Sequence, residues 1–197
     1  MPAELLIPRE QYLASGIHIG MKQRTKQMKE FIYKIRPDGL AVLNLRKLDE
    51  RIRITAKFLA KADKILVVGK KLISREIIEK FCEITGCEPI TERFMPGTLT
   101  NPNYKKFFEA EIILITDPLI DYQALREAVK ARVPVVAICD TPDETKDIDL
   151  IIPANNKGKK ALATLFWLLA REILKEKKEI KSDEEFKYKV EDFSKEE

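Results

Sequence analysis

Residues 22–36 gather six cations, Lys22, Arg24, Lys26, Lys29, Lys34 and Arg36, against one carboxylate, Glu30, a local balance of +5. Phe31 and Tyr33 are interleaved with them. Cations neutralise phosphates and aromatic rings stack on unpaired bases, so the stretch has the composition of a nucleic-acid contact. The competing reading is a solvated loop whose aromatics turn into a core, and the density of charge favours the first. A second run, Asn155, Asn156, Lys157, Gly158, Lys159 and Lys160, stands where a helix should begin. Free backbone N–H groups and the positive end of the helix dipole favour an anion there. Ordinary asparagine capping with solvent-facing lysines fits equally well. The loop 92–103 displays Arg93, Thr98, Thr100 and Asn101 between two predicted strands, together with Met95, Pro96, Gly97 and Pro102. Turn chemistry alone would account for those residues.

Catalysis would have to rest on Asp117 and Asp140, which end two predicted strands on the edge where open α/β sheets bind ligands. Paired carboxylates there could hold Mg²⁺ for phosphoryl transfer to or from a small molecule. Each is followed by turn residues, Pro118 in one case and Thr141–Pro142 in the other, so capping explains them too. No nucleophile, base or oxyanion donor accompanies the pair. His18 is the one histidine, set between apolar neighbours, and reads as a hydrogen-bonded structural residue. Gly16 and Gly20 follow no strand, and Gly69–Lys70–Lys71 lacks the spacing of a phosphate-binding loop. No cofactor, metal or small-molecule substrate is expected.

The elements that must position these groups alternate. Short β-branched runs at 39–45, 64–69, 88–91, 111–116 and 133–139 are separated by helical patterns, which argues for βαβ units around a parallel sheet. The helical spacing is carried by Leu48, Ile52, Thr55 and Leu59, then by Ile77, Ile78, Phe81 and Ile84. Ser74 and Gly86 should bound the second of these helices, and Asp121 should cap the next. A last helix over about 158–178 presents Leu162, Leu165, Phe166, Leu169 and Ile173 on one face, with Trp167 at its edge. The expected organisation is an N-terminal helix and basic arm over 1–38, an α/β domain over 39–178, and a charged, disordered tail over 179–197. The segment 16–36 fits neither an amphipathic helix nor a strand, and reads as an extended arm that orders on binding.

A chain of 197 residues with 45% hydrophobic content can bury one sizeable core. Charged residues make up 35%, yet the net charge is only +4 because six Lys face nine acidic residues over 176–197. The basic front end is masked by that tail. Three cysteines, Cys82, Cys87 and Cys139, make neither a disulfide framework nor, with a lone histidine, a zinc site, so reduced thiols and a cytoplasmic setting are expected. The most apolar run, 161–170, is far below the roughly 20 residues of a membrane span. No targeting segment is expected in the first ten residues.

Four ordered segments carry a family resemblance: GIHIGMKQRTKQMKEFIYKIRPDGLAVLNL over 16–45, ERFMPGTLTN over 92–101, LITDPLIDYQALREA over 114–128, and VPVVAICDT with IIPANNKGKKALATLFWLLAR further on. Together they resemble the small-subunit ribosomal protein S-two family, over roughly residues 9–173. The resemblance implies a single doubly wound, flavodoxin-like or Rossmann-like α/β domain near the head–body junction of the small ribosomal subunit. It implies a non-catalytic role in assembly and translation, with ribosomal RNA and neighbouring ribosomal proteins as partners and no membrane. The short connections exclude the helical hairpin of bacterial members and point to the archaeal and eukaryotic branch, which includes the laminin receptor precursors. The long acidic extension of those precursors is absent, so no cell-surface role is expected.

On that reading Lys22, Gln23, Arg24, Lys26 and Lys29 contact phosphate and sugar. Arg93, Thr98, Thr100, Asn101, Asn155, Asn156, Lys157 and Lys159 contribute second-rank RNA contacts, and Asp117 and Asp140 stabilise loops. A tail that recruits a partner protein is the weakest alternative.

Overall fold

The computed structural model describes residues 5–194; residues 1–4 and 195–197, the ends of the expected N-terminal segment and tail, lie outside the described residues. In chain order the elements are α1 (Arg9–Ser15), β1 (Ile32–Ile35), β2 (Ala41–Leu43), α2 (Leu45–Leu59), β3 (Ile65–Val68), α3 (Leu72–Thr85), β4 (Glu88–Ile90), β5 (Ile112–Ile115), α4 (Tyr122–Ala131), β6 (Val135–Cys139), β7 (Leu150–Pro153) and α5 (Lys159–Glu176). The runs ILVV, IILI and VVAIC are apolar at every position because β3, β5 and β6 are buried on both faces. With β4 and β7 they form a five-stranded parallel sheet in the order β4-β3-β5-β6-β7. The chain direction across the sheet reverses between β3 and β5, and the carboxyl ends of these strands form the crevice where doubly wound folds admit ligands.

Strand alternation sorts the core into two layers. Ile65, Val67, Ile112, Leu114, Val136 and Ile138 meet α2, α3 and α5. Leu66, Val68, Ile113, Ile115, Val135 and Ala137 face the other way, where α4 contributes Ala124, Leu125 and Ala128. One helix cannot cover that face. Met28 and Phe31 from the basic arm, Leu43 from β2, and Phe94 and Leu99 from the loop after β4 complete it.

The doubly wound α/β reading holds, with local corrections. The segment 39–45 is no part of the parallel sheet: β2 pairs antiparallel with β1 in a separate two-stranded sheet, and Ile19 bridges to Val42. The fifth parallel strand is instead β7, a four-residue run ending in Pro153 behind a polar stretch, too short to show a period. Ser74 does not cap α3. It lies in the first turn, buried, with its hydroxyl donating to the Lys71 carbonyl. Gly86 ends that helix at φ 76° as expected. Asp121 occupies the N-cap of α4 but sends its carboxylate elsewhere.

The tail is not solvated throughout. Phe186 and Phe193 are buried beside α3 and α5, and the Trp167 indole donates to the Tyr188 carbonyl at 2.7 Å. Two phenylalanines spaced seven residues apart supply enough apolar surface to dock a segment whose average composition is polar. Cys82, Cys87 and Cys139 are buried and unpaired.

Candidate nucleic-acid interface

The arm is stitched to the carboxyl edge of the sheet rather than extended from it. The Thr141 hydroxyl, in the loop after β6, accepts from the Met21 amide at 2.9 Å and donates to the Gln23 carbonyl at 2.9 Å. The Thr25 amide donates to the Thr141 carbonyl at 2.9 Å. The Thr25 hydroxyl donates to the Asp143 carbonyl at 3.1 Å, and the Gln27 side chain accepts from both the amide and hydroxyl of Thr145. Gly20 permits this approach, since a Cβ there would lie 2.5 Å from the Thr141 methyl. Further along, Met28 and Phe31 insert fully into the second core layer.

Cations dominate what is left outside, alongside Gln23, Gln27, Glu30 and Ile35. Lys22, Gln23, Arg24, Lys26, Lys29, Lys34 and Arg36 are exposed, and Tyr33 is 67% exposed. Arg36 pairs with Asp38 at 3.4 Å. The two aromatics therefore part company: Phe31 serves the core and Tyr33 faces solvent. Lys47 and Arg51 of α2 lie over the Phe31 ring, each 5.5 Å from its centroid, and the Lys47 ammonium donates to the Glu30 carbonyl. These two belong to the same basic face. The sequence hid them, because they are remote in helix register from the run 22–36.

The Asn155–Lys160 cluster points inward more than expected. Asn155 donates to the Gly16 carbonyl and accepts from the Lys157 amide, tying the arm to the start of α5. Asn156 is 1% exposed and donates to Ile138 and Asp143. Lys157 reaches Asp117 at 2.9 Å, and Lys71 reaches the same oxygen at 2.5 Å. Lys159 lies 3.3 Å from Glu76. Asn155, Asn156 and Lys157 thus brace the carboxyl edge, and the helix cap itself is Gly158 with no side-chain bond.

The same network decides what Asp117 and Asp140 do. Asp117 is fully buried, one oxygen held by the two ammonium groups and the other accepting the amides of Leu119 and Ile120. Burial would raise its carboxyl, but the two lysines outweigh that and hold it below the ordinary range. Asp140 accepts from the Thr141 amide, and its own amide donates to Asp143. Burial lifts the Asp140 carboxyl and pushes those of Asp121 and Asp143 up to about 6. Among the described residues no group of three or more His, Cys, Asp or Glu is arranged to hold a metal ion. These carboxylates organise loops, as cap chemistry would have it.

The loop 92–103 is shaped by a residue with no distinguishing mark in the sequence. Glu127 of α4, 4% exposed, accepts from the amides of Gly97 at 2.8 Å and Leu99 at 3.2 Å. Thr98 is buried, its hydroxyl turned to the Met95 carbonyl, so it presents nothing to a partner. Arg93, Thr100 and Asn101 remain exposed. His18 is part-buried and burial lowers its pKa; its carbonyl accepts from Leu43, and its buried Nδ1 makes no well-formed hydrogen bond among the described residues.

The model of a family described as ribosomal protein S2 matches residues 12–110 and 103–176, covering the arm, the loop 92–103 and the start of α5. The chain belongs to the ribosomal protein S2 family. It is 54% identical over 176 residues to the small ribosomal subunit protein uS2 of Staphylothermus marinus, covering 88% of this chain and 80% of that protein. It is 47% identical to the protein of the same name from Thermoplasma acidophilum and 48% to that from Picrophilus torridus, each over 98% of both chains. These archaeal relatives accord with the archaeal and eukaryotic branch inferred from the short connections.

Proposed function

We propose that the chain is a structural, RNA-binding constituent of the small ribosomal subunit, holding a basic surface against ribosomal RNA and supporting subunit assembly and translation in the cytoplasm. The observation that carries this is the division of labour within the arm: its anchoring side chains are buried or bonded to the loop 141–145, while Lys22, Arg24, Lys26, Lys29 and Lys34 are left exposed with Tyr33 between them. A surface of that kind neutralises phosphates without recognising a small substrate. Lys22, Gln23, Arg24, Lys26 and Lys29 make the principal phosphate and sugar contacts, and Tyr33 offers a stacking face to an unpaired base. Lys47 and Arg51 extend the surface. Arg93, Thr100, Asn101 and Lys159 are secondary contacts. Thr98, Asn155, Asn156 and Lys157 support the surface from within.

A catalytic role is disfavoured by the pairing of Asp117 with Lys71 and Lys157, which leaves neither of its oxygens open to a metal or substrate. Sedimentation of the tagged protein through a sucrose gradient tests the proposal. Comigration with small subunits is expected, with charge reversal at Lys22, Arg24 and Lys26 shifting the protein to the top. Slow-sedimenting wild-type protein with no preference for small-subunit RNA, even at low salt, overturns it.

A further inference from the structure

Two loops at the carboxyl edge of the sheet display large apolar side chains that none of the described residues covers. Leu72, at the start of α3, is 84% exposed, and Leu119, Ile120 and Tyr122, between β5 and the first turn of α4, are 53%, 45% and 57% exposed. Scattered exposed leucines would mean nothing. These four are brought to one place: the Lys70 amide donates to Asp121, and the Lys71 ammonium pairs with Asp117, locking the two loops side by side across the switch point.

Their exposure is built rather than tolerated. The Asp117 oxygen that accepts from the amides of Leu119 and Ile120 forces a tight turn at that point, so the Leu119–Ile120 pair is left on the outside. Asp121 is 3% exposed and Asp117 fully buried, so the catalytic-looking Asp117 and the cap candidate Asp121 lie beneath the patch and hold its shape. They are also the only carboxylates in residues 69–72 and 117–122. At the surface Lys70 and Arg126 put positive charge on the rim, while Glu76, one turn on from Leu72, is drawn to Lys159. Lys70 and Arg126 are exposed, with Arg126 lying over the Tyr122 ring at 5.8 Å, while the Lys157 ammonium at the inner margin is engaged by Asp117.

We infer that this patch is a docking surface for another protein, one that presents aliphatic side chains flanked by carboxylates. An aliphatic centre gives phosphate nothing, and Tyr122, its one ring, already carries Arg126. A second copy of this chain would set cation against cation. An acidic, amphipathic protein segment satisfies both the centre and the rim, and the rigid turn lowers the ordering cost of receiving it. The inference rests on the ribosomal reading, since it assigns a neighbouring protein of the particle to this edge while RNA takes the arm.

The double substitution Leu72→Glu, Leu119→Glu tests it, at two positions exposed enough that folding is unaffected. A benzophenone-bearing residue at 119 supplies the second measurement. In small subunits reconstituted from RNA and total subunit proteins, the double variant should lose occupancy by at least about tenfold, the scale of one interface hot spot. Its affinity for the RNA alone should stay within about twofold, because the arm is untouched. The photoadduct formed in particles should be a protein whose crosslinked peptide is rich in aliphatic and acidic residues. An adduct with RNA, an adduct between two copies of this chain, no adduct, or unchanged occupancy overturns the inference. Wild-type protein that fails to bind RNA and to enter particles sinks the ribosomal reading instead.

Discussion

Neutralising the arm should change the salt dependence of RNA binding by an amount that the structure sets. Lys22, Arg24, Lys26, Lys29 and Lys34 are exposed without a carboxylate partner in the described residues, whereas Arg36 is shared with Asp38. If each of the five meets one phosphate, the arm contributes about −4.5 to the slope of log K against log salt on duplex RNA treated like B-DNA, or about −3.5 on single strands. Raising salt from about 50 to 200 mM then weakens binding roughly 500-fold through the arm alone at the steeper slope, with any phosphates met by Lys47, Arg51, Arg93 and Lys159 adding to it. Replacing Lys22, Arg24 and Lys26 with Ala removes three of the five contacts. The measured slope should flatten by about 2.7, leaving the arm a share of about −1.8 that costs only roughly tenfold over the same salt change. Filter binding to small-subunit RNA across that range measures both slopes. The triple variant Lys57→Ala, Lys61→Ala, Lys130→Ala is the control for unspecific charge, since these exposed lysines lie towards the ends of α2 and α4, at the opposite edge of the sheet. An unchanged slope in the arm variant, or an equal flattening in the control, refutes the assignment of phosphate contacts to the arm.

Three further outcomes concern the buried groups. Phe31→Ala should lower stability by about 3–5 kcal/mol by opening a cavity under the arm, read by chemical denaturation, and should weaken RNA binding although no cation is touched; unaltered stability would mean that the arm is not anchored through Phe31. Asp143 is held up to about 6, above its unfolded value, so the native state binds the extra proton and this group's contribution to stability falls as pH rises between about 4 and 6. Asp143→Asn keeps an oxygen for the Asp140 amide and Asn156, and should remove that part of the fall in a pH series of melts; Asp117 acts with the opposite sign, its stabilisation fading as pH drops through its lowered value. Glu127→Ala leaves the amides of Gly97 and Leu99 without their carboxylate, which should cost about 1.5–3 kcal/mol and speed amide exchange at those two positions; protection equal to wild type would rule out the brace.

Local pattern and composition, which the sequence holds by itself, determined the central strands, the long helices and the basic surface. Apolar runs of four or five residues marked β3, β5 and β6, because strands buried on both faces have no polar positions to interrupt them. Periodic Leu and Ile marked α2, α3 and α5, Gly86 marked a helix end in the left-handed conformation that glycine favours, and the charge density of 22–36 marked the basic surface. Four ordered motifs were enough to indicate the family. Tertiary structure decided what depends on partners distant in the chain. Whether an aromatic of the arm faces the core or solvent was settled by the vacant half of the sheet that α4 leaves uncovered, which takes Phe31 and Met28 but not Tyr33. Lys157 and Asn156 look like surface ligands in sequence, yet a buried Asp117 forty residues away and Asp143 draw them inward, since an unpaired carboxylate in the interior would cost more than burying the lysine stem. Glu127, Thr141 and the apolar patch of Leu72, Leu119 and Ile120 carry no local signature at all: their roles exist only because the parallel sheet lines up the carboxyl ends of strands that the sequence keeps far apart.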